Sequence, residues 1–192
     1  MNQVERALRD FLAARPADVR IAVIGGIAVS ARTEPRFTRD LDFAVAVASD
    51  AEAERYVFRL RQLGYELEAA LEQTTLPRLS TVRLRKSGRG PLVALLFAAT
   101  GIEPEIVAAA EPIEVGGGLI ADVARVGHLI PMKLVSRDDT RRPRDHEDLI
   151  QLSKVADDEE WARAEAAVQL ITERGFSRGR DLYAALKEWR AT

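Results

Sequence analysis

The chain contains no cysteine and only two histidines, His128 and His146, among its 192 residues. The lack of cysteine excludes disulfides, zinc–thiolate sites and thiol catalysis. Two histidines are too few for a histidine-rich metal site, and neither has sequence neighbours that would complete a catalytic triad. We expect both histidines to line or cap helices rather than to catalyse.

Neither sign of charge dominates, since 28 basic and 30 acidic residues give a net charge of −2. This balance argues against a general polyanion binder but permits a local basic patch. No apolar run approaches the roughly 20 residues that a membrane-spanning helix needs. Positions 1–15 have the pattern of an amphipathic helix rather than of a secretory leader. We therefore expect a cytoplasmic protein with no membrane partner.

Hydrophobic residues make up 47% of the chain and charged residues 30%, which is typical of a globular protein. Strand-like and helical segments are mixed up to about residue 125, and only helical patterns follow. Strands are predicted over 19–24, 40–47, 65–71, 74–85 and 91–99, with a hairpin around 116–118. Helices are predicted over 27–31, 50–63, 103–110, 126–137, 144–155, 159–173 and 179–190. The sequence thus predicts an α+β fold, with a mixed-sheet core over 1–125 and a C-terminal helical part over 126–192.

Paired glycines, Gly25 and Gly26, end the first predicted strand. A glycine turn lets the backbone approach a phosphate closely, and the following helix directs its first amides at the anion. The alternative is an ordinary tight turn between a strand and a helix, which is the more common meaning of an isolated Gly-Gly.

Two aspartates, Asp40 and Asp42, stand at alternate positions on the next predicted strand. Side chains two residues apart on a strand point to the same face, so both carboxylates should face the glycine turn. Mg²⁺ binds through one or two carboxylates together with substrate phosphates. The alternatives are a solvated strand end, or structural ion pairs with Arg36 and Arg39. The pair favours a metal site over these.

Other charged residues are less specific. Lys133 lies on a predicted helix and could reach phosphate oxygens as a point charge, although a lone lysine is usually a surface residue. Four cations on a predicted hairpin arm could bind a nucleic-acid backbone: Arg83, Arg85, Lys86 and Arg89. A solvated hairpin tip is an equally good interpretation, because aromatic residues are not interleaved with them.

Several motifs together resemble a known family. Gly25-Gly26-x-Ala28, followed by Arg36-x-Thr38-Arg39-Asp40-x-Asp42, is similar to the signature of nucleotidyltransferases with the DNA polymerase β-type fold. The closer resemblance is to AbiEii-type nucleotidyltransferase toxins of type IV toxin–antitoxin systems, of which the MenT toxins are relatives. The segments 92–103, 128–134 and 142–149 resemble the family's third-carboxylate strand and its helical Lys and Asp motifs. The match spans roughly residues 20–152.

The resemblance implies specific roles for these residues. Mg²⁺ or Mn²⁺ would be held by Asp40 and Asp42, and Asp145 would complete the catalytic site from the helical part. A nucleoside triphosphate substrate would contact a set of six residues: Gly25, Gly26, Arg36, Thr38, Arg39 and Lys133. Relatives transfer a nucleotide to an acceptor, in some cases the 3′ end of tRNA, and a cognate antitoxin neutralises them.

The sequence departs from the family pattern at Ala94, where the third strand normally carries an aspartate. Two-metal catalysis depends on such ligands, so the change should reduce turnover far more than nucleotide binding. Either the carboxylate was removed deliberately from a toxic enzyme, or the chain is a naturally degenerate relative. In a third interpretation Ala94 is a core residue and the alignment is one position off.

The sequence therefore predicts a nucleotidyltransferase of the toxin type, impaired at position 94, with RNA or protein as its acceptor. Two other functions remain open. One is a non-catalytic NTP-binding or interaction module that keeps the fold. The other is a small-molecule nucleotidyltransferase of the aminoglycoside-modifying type.

Overall fold

A computed structural model describes residues 3–72, 78–87, 90–137 and 143–191. Its centre is a seven-stranded mixed sheet with the strand order β3-β4-β5-β2-β1-β7-β6. The strands are β1 (Ile21–Ile24), β2 (Leu41–Val45), β3 (Tyr65–Glu72), β4 (Leu79–Lys86), β5 (Leu92–Leu96), β6 (Glu111–Glu114) and β7 (Ile120–Val123).

Helices connect the strands and continue beyond them. They are α1 (Gln3–Ala14), α2 (Gly25–Arg32), α3 (Asp50–Gln62), α4 (Glu103–Ala108), α5 (Val126–Ser136), α6 (Pro143–Val155), α7 (Asp158–Glu173) and α8 (Leu182–Arg190). The Ser49 side chain accepts a hydrogen bond from the Glu52 amide and so caps α3. Within the described ranges, none of the helices combines the length and apolar character of a membrane-crossing helix.

The middle of the sheet is the most apolar part of the fold. β2 pairs antiparallel with β1 and parallel with β5, and β5 pairs antiparallel with β4. All four residues of β1 are buried, in keeping with their β-branched and small side chains. Behind β2, the Phe11 ring of α1 stacks on the Phe43 ring with 4.6 Å between centroids. This packing fixes β2, which carries Asp42, from the side opposite the site.

The C-terminal helices share the core of the sheet. One buried hydrophobic cluster contains residues of the central strands together with Leu149, Trp161 and Leu182. Helices α5 and α7 approach closely at Gly127, whose amide donates to the Glu160 carboxylate at 2.5 Å. The division of the chain at residue 125 therefore stays a prediction.

The observed elements follow the predicted ones with shifted ends. β2 begins at Leu41 rather than at residue 40, β5 is shorter than the predicted 91–99, and α2 begins at Gly25 rather than at residue 27. The predicted strand 74–85 begins outside the described residues, and its described part is β4. The mixed sheet with helices, including helices at the C-terminal end, confirms the predicted fold class.

Candidate active site

The paired glycines form the bend between β1 and α2, and close packing requires both of them. Gly25 has a φ of +62°, and a Cβ atom there would overlap the Asp42 carboxylate, lying only 2.7 Å from its Cγ. A Cβ atom on Gly26 would lie 2.7 Å from Thr38 Oγ1 and 3.3 Å from the Arg36 guanidinium. Four of the predicted nucleotide-binding residues thus meet at one bend, where the first amides of α2 lack helical partners.

Strand pairing places position 94 directly beside Asp42. Ile24 pairs with Asp42 in β1–β2, and Asp42 pairs with Ala94 in β2–β5. Because side chains alternate along a strand, Ala94 faces the same side as Asp42, whereas Val93 and Leu95 face the other side and are buried. An aspartate at position 94 would therefore stand next to Asp42.

Asp40 occupies a different position from the one predicted. It precedes β2 and is exposed, whereas Asp42 lies within the strand and is partly buried. Arg39 is also exposed, with its guanidinium 5.7 Å from the centroid of the Phe37 ring. The predicted strand start at residue 40 is wrong by one residue, so the alternation argument does not fix the direction of the Asp40 side chain.

A buried charge cluster joins the sheet core to the C-terminal helices. Lys133 Nζ lies 2.7 Å from Asp145 Oδ1 and 2.7 Å from Asp148 Oδ2. The same Asp148 oxygen accepts from Arg36 at 2.8 Å, and Ser136 donates to Asp145 at 3.0 Å. Asp145 accepts a hydrogen bond from the Lys133 ammonium, and Asp148 forms an ion pair with it. Two carboxylates thus hold the Lys133 ammonium in place.

A cleft of about 550 Å³ lies between the end of the sheet and α5. The bend, the second strand and α5 contribute Gly25, Asp42 and Lys133 to its lining, and Ala94 forms part of its floor. The remaining lining residues are Ile24, Leu71, Glu72, Ser80, Thr81, Arg83, Leu96, Ala99, Thr100, Leu129, Met132, Val135, Ser136 and Arg178. A volume of this size suits a nucleotide-sized ligand.

The donor set in the cleft suits one hard cation better than two. Asp42, with Asp40 nearby in sequence, offers the one or two carboxylates that Mg²⁺ uses together with phosphate oxygens. Across the described ranges, no three His, Cys, Asp or Glu side chains gather into a group that could hold a metal without a substrate. A cation there would need the oxygens of a bound nucleotide, because Ala94 supplies none.

The predicted basic arm does not form one surface. Arg83 lines the cleft. Arg85 is ion-paired with Glu68 at 3.3 Å and also donates to the Gly90 carbonyl. The Lys86 ammonium instead lies 5.2 Å from the centroid of the Tyr65 ring. Arg89 lies outside the described residues.

The motif segments 92–103 and 142–149 contain two carboxylates for which the sequence predicted no role. Asp148 joins Arg36 to Lys133, and its spacing of three residues from Asp145 on one helix could have indicated a shared face. Glu103 is fully buried and accepts from the amides of Ala99, Thr100 and Gly101 in the loop after β5. No simple sequence pattern predicts that loop.

His128 is buried in α5, one turn before Lys133 and away from the cleft lining. Burial, assisted by the positive charge of Arg163, lowers the pKa of His128 to about 4. The imidazole is therefore neutral at physiological pH, in line with the expected structural role.

No protein-family model matches the chain, and no curated protein matches it either. Solved structures, in contrast, show a similar fold. The antibiotic-resistance factor ANT(2'')-Ia, whose structure was determined in solution, is 18% identical over 98% of this chain and 97% of its own, with a TM-score of 0.56. At this identity the similarity establishes the fold alone.

Two further solved structures are less similar. An antigenic nucleotidyltransferase-like protein from Paracoccidioides brasiliensis is 16% identical over 96% of this chain and 89% of its own, with a TM-score of 0.49. The lincosamide antibiotic adenylyltransferase LnuA, bound to lincomycin, is 14% identical over 80% of this chain and 96% of its own, with a TM-score of 0.45. The structural neighbours thus include nucleotidyltransferase-like proteins.

Proposed function

We propose that this chain is a nucleotidyltransferase-type protein that binds a nucleoside triphosphate and Mg²⁺ or Mn²⁺ in the cleft beside the diglycine bend. The observation that carries the proposal is the contact of Gly25 with the Asp42 carboxylate, in a cleft that Lys133 also lines. A carboxylate held against a glycine bend at the start of a helix can share a cation with a phosphate chain. The fold similarity to ANT(2'')-Ia is consistent with this chemistry.

The proposed parent reaction transfers a nucleotide to an acceptor hydroxyl. The hydroxyl oxygen forms a bond to the α-phosphorus, and the bond between that phosphorus and the oxygen bridging to the β-phosphate breaks. Pyrophosphate leaves with the electron pair, and the hydroxyl proton passes to a carboxylate or to water. A bound divalent cation would stabilise the charge that develops on the phosphates.

The residues of the chain have separate roles in this proposal. Gly25 and Gly26 present amides to the triphosphate, assisted by Arg36, Thr38 and Arg39. Asp40 and Asp42 would hold the cation. Lys133 would donate an N–H to a phosphate oxygen, while Asp145 and Asp148 hold its ammonium in place.

Ala94 limits the chemistry that this chain can perform. The position faces the cleft beside Asp42 but offers only a methyl group. We infer that the chain binds nucleotide and transfers it poorly, because no carboxylate at position 94 can accept the hydroxyl proton or hold a second cation. This same observation favours the second candidate function, a non-catalytic nucleotide-binding module.

The finer assignment is a toxin that modifies an RNA acceptor, such as the 3′ end of tRNA, and that a cognate antitoxin protein neutralises. It is supported by the order and spacing of the motifs over residues 20–152. A protein acceptor, or a small-molecule acceptor of the aminoglycoside type, is the competing outcome.

The test compares the chain with Ala94→Asp and Ala94→Asn, which fill the same volume with and without a negative charge. Each protein is incubated with α-labelled nucleoside triphosphates, Mg²⁺ or Mn²⁺, and total tRNA, protein extract or kanamycin. We expect Ala94→Asp to increase label transfer to tRNA by about 10²–10⁴-fold over Ala94→Asn, the usual contribution of a general base.

Other outcomes separate the alternatives. Label transfer to kanamycin or to protein, instead of tRNA, would identify that molecule as the acceptor in place of RNA. If no variant transfers label but nucleotide raises the unfolding temperature, the chain is a non-catalytic nucleotide-binding module. Absence of both transfer and nucleotide binding would refute the proposed function.

A further inference from the structure

Arg83 belongs to the same row of the sheet as the residues that decide the proposed chemistry. β4 and β5 pair Arg83 with Ala94, and β5 and β2 pair Ala94 with Asp42. Residues paired across neighbouring strands lie about 5 Å apart and direct their side chains to the same face. All three residues line the cleft. The small Ala94 side chain leaves the long Arg83 side chain room on the floor between β4 and β2.

Arg83 also differs from the other cations of the cleft in its contacts. Lys133 is held by two carboxylates, and Arg178 donates to the Ala99 carbonyl at 3.4 Å. For the partly buried Arg83, no hydrogen bond or ion pair to another described residue is found. A guanidinium has five N–H donors in a planar fork that matches phosphate oxygens. An arginine without such protein contacts is suited to binding a ligand rather than to stabilising the fold.

The position of Arg83 indicates which part of the substrates it would contact. In the strand order, Gly25 follows β1 on one side of Asp42, and Arg83 lies two strands away on the other side. A triphosphate on the diglycine bend that shares its cation with Asp42 would therefore lie over β1 and β2. The space over Ala94 and Arg83 is left for the acceptor.

We propose that Arg83 binds a phosphate group of the acceptor and so makes the cleft specific for an RNA strand. This inference depends on the proposed function, since it assumes that nucleotide occupies the bend. A polycationic aminoglycoside would be repelled by Arg83, whereas an RNA end carries a phosphate within reach of the attacked hydroxyl. Arg83 is a specificity-determining residue in this account, and Arg85 and Lys86 are not, because each has a partner elsewhere.

The experiment uses the full chain and four proteins: wild type, Arg83→Gln, Arg83→Lys and Arg55→Gln. Arg55 lies on the exposed face of α3, away from the cleft, so Arg55→Gln loses the same charge at a matched surface position. Nucleotide binding with Mg²⁺ is measured first, from the shift in unfolding temperature. Binding of a short fluorescein-labelled single-stranded RNA is then measured by anisotropy over a range of salt concentrations, with nucleotide present.

We expect Arg83→Gln to weaken RNA binding by at least about tenfold, the effect of losing one hydrogen bond to a charged group. Its slope of log affinity against log salt should fall by about 0.7, as for one lost phosphate contact on a single strand. Arg83→Lys should keep the wild-type slope with part of the affinity, because it keeps the charge but not the fork. Arg55→Gln should match wild type, and nucleotide binding should be equal in all four proteins.

The slope is the decisive readout, since a merely structural effect of Arg83→Gln would not remove one phosphate contact. An unchanged slope and affinity in Arg83→Gln would overturn the inference while leaving the proposed function intact. A weaker nucleotide shift in Arg83→Gln, or tighter kanamycin binding by wild type than RNA binding, would also overturn it. If wild type does not bind nucleotide, it is the proposed function that fails.

Discussion

A single oxygen of Asp148 accepts a hydrogen bond from Arg36 at 2.8 Å and forms an ion pair with Lys133 at 2.7 Å. Arg36 comes from the loop before β2, and Lys133 comes from the helix after the sheet. Asp148 therefore ties the two sides of the proposed nucleotide site together, with its own side chain only 2% exposed. This one carboxylate therefore positions both cations that the proposed function assigns to the nucleotide.

We expect Asp148→Asn to destabilise the protein by about 3–5 kcal/mol, because it leaves two partly buried cations without their shared counter-charge. Urea unfolding, followed by circular dichroism, measures the change. Asp158→Asn is the matched control: Asp158 is fully exposed and lies 3.5 Å from Arg190. Similar unfolding midpoints for the two variants would contradict a structural role for Asp148.

Gly25→Ala should both destabilise the fold and remove nucleotide binding. The left-handed backbone costs about 1–2 kcal/mol for a residue with a Cβ atom, and the overlap with Asp42 adds about 1–3 kcal/mol of overpacking. Gly118 provides the control, since its φ is +71° but nothing lies within 4 Å of an added Cβ. If Gly118→Ala and Gly25→Ala unfold at the same urea concentration, the close approach of Asp42 does not constrain the bend.

The conformation of the loop after β5 should depend on the hydrogen bonds that Glu103 accepts. Its two carboxylate oxygens accept from three backbone amides and from the Thr100 hydroxyl, at 2.7–3.0 Å. Glu103→Gln keeps the shape but replaces one acceptor by a donor, so we expect a loss of about 3 kcal/mol. Glu105→Gln, two residues away and only partly buried, is the control, and thermal unfolding compares the two. An effect no larger than that of the control would show that the loop amides find other partners.

Acid should weaken the fold through His128. Its pKa is about 4 in the folded chain against 6.5 for the free side chain, so the unfolded chain binds the proton first as pH falls. The contribution of His128 to the free energy of unfolding should therefore decrease by up to about 3 kcal/mol between pH 6.5 and pH 4. Above pH 6.5 this contribution should not change with pH.

His128→Gln isolates this contribution, because carboxylates also titrate in the same range. Urea unfolding at a series of pH values should give a shallower acid limb for the variant than for wild type. Parallel curves would mean that the imidazole is protonated without cost in the folded state.

Local sequence patterns predicted most of the elements but not their pairing. The glycine bend, the acidic strand and the apolar fifth strand are visible in the sequence because each depends on residues within about ten positions. The row that contains Arg83, Ala94 and Asp42 depends on the register of three strands far apart in sequence. That register is set by tertiary packing, which one sequence does not reveal.

The difference between local patterns and strand register also explains which site residues the structure brings together. Gly25, Gly26, Arg36 and Thr38, which the family resemblance placed at one site, do meet. The hairpin arm, in contrast, does not act as one group, because Lys86 points to the opposite face of β4 from Arg83 and Arg85, and Arg85 is ion-paired with Glu68 on the neighbouring strand. The functional roles of these residues remain predictions for the experiments above.

The stacking of Phe11 on Phe43 packs helix α1 against β2, the strand that carries Asp42. A recombinant version shortened to begin at β1 would expose the back of β2 to water and free the Asp42 backbone to shift. Expression designs and proteolysis experiments on this protein should therefore keep the first helix intact, although it lies on the far side of the sheet from the cleft.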